Sequence, residues 1–106
     1  MEITKQDWCL FRNKIAAWQE AYMEQLNQAY MDILSGQGNP SEKFWLLEKR
    51  INHDKKRCGV VIQMRKQNLP FDLAALINNG VITFSDIQEF SEELKDFVKH
   101  LCDMHF

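Results

Sequence analysis

The chain has 106 residues, 45% of them hydrophobic and 26% charged, which is the balance of one globular domain and not of a disordered tail. Three cysteines with no CxxC pair exclude a disulfide scaffold and point to a reducing compartment. The net charge of −2 conceals a segregation, with −2 on residues 1–41, +5 on residues 42–66 and −5 on residues 67–106.

A first helix is expected over about 5–35. Thr4 is placed to cap it, Asp7 stands at its third position, and Ile3 can staple onto Trp8. Trp8, Phe11, Ile15, Trp18 and Tyr22 follow at spacings of 3, 4, 3 and 4, and the stripe drifts on through Leu26, Ala29, Tyr30 and Ile33. Gly36 and Gly38 supply the stop. Such a helix spans roughly 46 Å, whereas a compact chain of this length is roughly 33 Å across. The helix therefore bends or overhangs. An overhang lined by Tyr22, Leu26, Tyr30 and Ile33 is a candidate contact for a second copy of the chain.

The second helix is expected over about 40–57. Asn39 caps it, Pro40 takes the first position, and Glu42 sits where a capping-box acid belongs. Phe44, Leu47 and Ile51 form the expected inward stripe with Trp45 beside it, and Gly59 is the expected stop. Over 60–79 the β-branched run Val60-Val61-Ile62 favours a strand, but no second strand is available to pair with it. The expectation is therefore a helix or a helix pair kinked at Pro70, ended by Asn78-Asn79-Gly80. The last helix is expected over about 84–103, with Thr83 as cap and Ile82 stapling onto Ile87. Ile87, Phe90, Leu94, Phe97 and Leu101 repeat the 3, 4, 3, 4 spacing, and Glu89, Glu92, Glu93 and Asp96 point outward. These elements define an all-α fold, a four- to five-helix bundle with a long N-terminal helix in one domain, 1–106, expected to be dimeric.

Several tempting motifs yield to plainer readings. Asn78 to Asp86 resembles half of an EF-hand loop, but the first ligand positions would be Ala75 and Ile77, which cannot bind calcium. Read as a DNA-binding helix–turn–helix, the same stretch would present Asp86, Glu89, Glu92 and Glu93 to phosphates. His100, Cys102 and His105 stand at helical offsets that do not converge on one metal, and no second dyad completes a site. His53-Asp54 lacks a neighbouring nucleophile motif, and there is no Gly-rich phosphate loop or HExxH. No catalytic, cofactor-binding or metal residue is assigned, and the chain is expected not to be an enzyme.

The basic segment is the feature these motifs leave unexplained. Lys43, Lys49, Arg50, Lys55, Lys56, Arg57, Arg65 and Lys66 lie within 24 residues, with His53 among them. The plainest reading is a solvated face, or a complement to the acidic C-terminal helix, within the chain or between two copies. The sharper alternative is one surface that meets phosphates. No apolar run approaches a bilayer span, and Met1 opens no secretory signal, so a cytoplasmic protein without a membrane partner is expected.

The stretches Ser41–Ile51, Gly59–Arg65 and Leu76–Thr83 resemble small uncharacterised helical proteins of Clostridia-like Firmicutes and their mobile elements. That group has no assigned activity, so the resemblance implies a bacterial cytoplasmic setting and transfers no site residue. The functional expectation is a non-enzymatic interaction protein that binds a protein partner, itself, or both. One concrete version is a phage or mobile-element inhibitor of a host defence effector. The alternative is nucleic-acid binding through residues 43–66.

Overall fold

A computed structural model describes residues 1–104 and contains four α-helices: α1 (Lys5–Ser35), α2 (Pro40–Asp54), α3 (Leu69–Asn78) and α4 (Glu92–Asp103). Short 3-10 helices occupy Lys66–Asn68 and Phe84–Ile87, and no strand occurs among the described residues. The fold is all-helical, with the long helix first.

At the start of α1 the Thr4 hydroxyl accepts from the Asp7 N–H at 3.0 Å. Ile3 is buried and Trp8 packs partly buried against the same core, as a hydrophobic staple requires. The N-terminal half of α1 then joins α3 and α4 around Phe11, Leu69, Leu73, Leu76, Ile87, Leu94 and Val98, all fully enclosed. This is the head of the molecule. Past it, α1 runs on and pairs with α2 through the turn at residues 36–39, forming a helical hairpin that we call the arm. The molecule measures 53 × 28 × 21 Å, and its radius of gyration of 16.5 Å exceeds the roughly 13 Å of a compact chain this long. The long helix overhangs.

Three elements differ from the sequence expectation. Helix α2 ends at Asp54, not near residue 57, because the chain turns at once through Gly59. Gly59 is buried directly against the Tyr22 ring, where a Cβ would lie 2.2 Å from a ring carbon. Residues 61–65 are neither helix nor kinked helix pair but chain without regular secondary structure, extended at Arg65 with φ −132° and ψ 129°. Ile62 tucks partly into the core from this segment. Pro70 does not kink a helix; it sits in the first turn of α3, where its missing N–H costs nothing.

The third difference is the last helix, which is divided. The segment after Thr83 forms one 3-10 turn, with the Thr83 N–H donating to the Asp86 carboxylate at 2.7 Å, and α4 starts afresh after Ser91. The Ser91 hydroxyl accepts from the Leu94 N–H at 3.3 Å. The break leaves the inward positions intact, since Ile87, Phe90 and Leu94 are buried and Phe97 and Leu101 half-buried. The turn before it is a glycine stop. Gly80 has φ 74°, and the Val81 N–H returns to the Leu76 carbonyl at 2.9 Å.

Candidate interaction surface

Helix α2 buries no apolar side chain, and Asp54 is its one buried residue. The expected inward stripe of Phe44, Leu47 and Ile51 is corrected by the structure. Phe44 is 62% exposed and Ile51 41%, while Trp45 and Leu46 are 63% and 54% exposed. Lys43, Leu47, Arg50 and Asp54 are half-buried or buried instead, spaced 4, 3 and 4 along one side of the helix, and Asn52 is half-buried beside Ile51.

The seam between the two arm helices is polar at its centre. The Asp54 carboxylate accepts from the Tyr30 hydroxyl at 2.7 Å and from Arg50 Nε at 2.9 Å. Burial, then the hydrogen bond to Asp54 and its negative charge, push the Tyr30 phenol up to about 12, so it remains a donor through the neutral range. At the arm's base Gln19 donates to the Cys58 carbonyl at 3.0 Å. Turning Asp54 inward to meet these donors rotates Phe44 and Trp45 away from α1. The two rings stand edge to face with centroids 4.9 Å apart.

The sequence-predicted contact residues of α1 lie mostly inside the chain. Tyr22 and Leu26 are buried, and Tyr30 and Ile33 are half-buried. The exposed apolar side chains of the overhang are Met31 and Leu34. A shallow groove of about 180 Å³ opens on this side of the arm, lined among others by Met23 and Tyr30 from α1 and Ile51 and Lys55 from the α2 side. One signal in the sequence marks the exposure. Phe44, Trp45, Leu46 and Leu47 are consecutive, so they surround the helix, and no single face can bury all four.

The eight basic candidates are distributed along the molecule. Arg50 pairs with Asp54, Arg57 donates to the Asn79 side chain at 2.9 Å, and Lys43 is half-buried on the arm. Lys49, Lys55, Lys56, Arg65 and Lys66 are exposed, and Lys66 borders a concavity of the head together with Glu2 and Glu93. Among the described residues the ion pairs are Lys14–Glu89, Arg50–Asp54 and Lys95–Glu92, and none joins the basic segment to the acidic C-terminal third.

A concavity of about 470 Å³ lies beside Thr4, Asp7, Cys9 and Glu89. Its polar groups already serve the fold, because Thr4 caps α1, Asp7 holds Ser91, and Glu89 pairs with Lys14 at 2.7 Å. Burial pushes the thiols of Cys58 and Cys102 up, which keeps them protonated and poorly nucleophilic. Among the described residues no three His, Cys, Asp or Glu side chains gather as a metal site, and His105 of the C-terminal set lies outside those residues. No described helix is long and apolar enough to cross a membrane. Compared with protein-family models, curated proteins and solved structures, the chain matches none.

Proposed function

We propose that this chain is a non-enzymatic helical interaction protein that acts by stoichiometric binding to a macromolecular partner, with the arm as its recognition surface. The observation that carries the reading is α2, which shows Phe44, Trp45, Leu46 and Ile51 to solvent and buries no apolar side chain of its own. A helix in that condition gains little from its own fold, and clustered exposed aromatics are the usual anchors of a binding interface. The resemblance implies a bacterial cytoplasmic setting, and one concrete version of the reading is a phage or mobile-element protein that inhibits a host defence effector.

The test is site-specific photo-crosslinking in producing cells. A benzophenone side chain in place of Trp45 is expected to yield a discrete macromolecular adduct, while the same group in place of the exposed head residue Asp96 yields none. If position 45 gives no adduct with any macromolecule, the reading fails. The exposed Lys49, Lys55 and Lys56 near this surface keep a nucleic-acid reading testable in parallel. It requires a gel shift at low salt that weakens steeply as salt rises and that is lost on replacing Lys55, Lys56 and Arg57 by Glu.

A further inference from the structure

We propose that the groove on the arm binds one small neutral aromatic molecule that carries an N–H or O–H donor, of the indole or phenol class. The site stands apart from the recognition reading, because Ile51 of the groove and Trp45 lie about 120° apart around α2.

The feature that marks the site is an acceptor oxygen that the fold holds in place and leaves unused. Asp54 is 3% exposed, yet both donors that reach its carboxylate, the Tyr30 hydroxyl and Arg50 Nε, meet the same oxygen, Oδ2. Among the described residues no group of the chain donates to Oδ1. The side-chain polar atoms sealed from solvent without a partner belong to Arg57 and Asp72 among those residues, so Oδ1 keeps an outlet to solvent. The opening that Asp54 lines is the groove of about 180 Å³. Two donors on Oδ2 fix the direction of the carboxylate, so a ligand at Oδ1 meets an acceptor that is already oriented.

The walls and the charge define the ligand. Met23, Leu26 and Tyr30 of α1 supply apolar surface, and Ile51 and Val60 complete it. A thioether and a phenol ring both favour contact with an aromatic ring. An apolar cavity of about 150 Å³ accommodates benzene, so the groove has room for one ring system. The ligand must also be neutral. Arg50 matches the charge of Asp54, and Lys55 brings a further positive charge to the lining, so a cation is disfavoured. An anion would meet the buried carboxylate at close range. A neutral N–H or O–H group avoids both repulsions and supplies the donor that Oδ1 lacks.

Methyl NMR of the full chain with isotope-labelled methionine tests the site, because Met23 is the one of five methionines that lines the groove. Indole is expected to shift the Met23 methyl signal saturably, with a dissociation constant of about 1 mM or below. The Met31 and Met64 signals should stay in place. N-methylindole keeps the ring system but lacks the N–H, so it should bind at least about tenfold more weakly. Ile51→Ala, at a position 41% exposed, should keep the helical circular dichroism and weaken indole binding at least about threefold. Leu46→Ala, about 140° away around α2, should leave binding unchanged. A Met23 signal that indole does not move overturns the proposal. Equal binding of indole and N-methylindole also overturns it, since apolar contact alone would then account for the affinity. Unchanged affinity in Ile51→Ala does the same, because it places the ligand elsewhere.

Discussion

The carboxylate of Asp7 in the first helix accepts two hydrogen bonds from Ser91, from its backbone N–H at 3.0 Å and from its hydroxyl at 2.5 Å, across 84 residues of sequence. Asp7 is 5% exposed, so this contact operates away from water. Ser91 in turn caps α4. The start of the last helix is therefore held by the start of the first.

Removing that carboxylate leaves a part-buried N–H and a hydroxyl without their acceptor. We expect Asp7→Ala to cost about 3 kcal/mol, since hydrogen bonds to a charged group and the penalty for stranded donors both apply. Asp7→Asn retains an acceptor and should cost about half as much. Urea denaturation of the three proteins measures the difference, and a midpoint unmoved in Asp7→Ala would show that the contact contributes nothing.

Gly59 presents a steric test of the arm's base. A methyl group there meets the Tyr22 ring at 2.2 Å, well inside any normal contact, and the ring is buried. Gly59→Ala should destabilise the chain by about 2 kcal/mol through overpacking. Combining it with Tyr22→Leu should recover part of that loss, a coupling readable in a double-mutant cycle. Strict additivity of the two substitutions would mean that the close approach is relieved elsewhere.

Asp72 supplies a dependence on pH. It is half-buried in the first turn of α3, one of its oxygens is buried without a hydrogen-bond partner, and burial pushes its carboxyl up to about 6. An unfolded aspartate titrates near 3.9, so between about pH 4 and pH 6 the folded chain holds this proton more tightly than the unfolded one. Its contribution to stability consequently falls as pH rises through that window and is flat above it. Asp72→Asn should remove the slope and raise the melting temperature at pH 7.5 by about 2–5 °C. The gain is limited because a negative charge near a helix N-terminus is itself favourable. Parallel thermal melts from pH 4 to 8 check both parts, and identical pH profiles for the two proteins would refute the assignment.

The helix boundaries legible in the sequence are those set by a residue and its neighbours within one turn. Thr4 and Asn39 cap because their side chains reach N–H groups three residues on. Gly80 ends α3 because only the left-handed conformation lets the chain reverse there. The bounds of α1 and the start of α2 follow from such contacts alone. The polar arm seam was less legible, because an apolar stripe through Phe44, Leu47 and Ile51 satisfies the same periodicity as the Lys43, Leu47, Arg50 and Asp54 stripe that faces α1.

The sequence by itself determined an all-helical chain with a first helix longer than its domain, because caps, glycine stops and apolar spacing act locally. Only the tertiary structure decided that the last helix breaks at Ser91 and that Phe44 and Trp45 face outward. Both outcomes depend on a carboxylate meeting donors from elsewhere in the chain, Ser91 for Asp7 and Tyr30 for Asp54. A buried charge must take its partners where the fold places them, and periodicity along one helix carries no record of that partner.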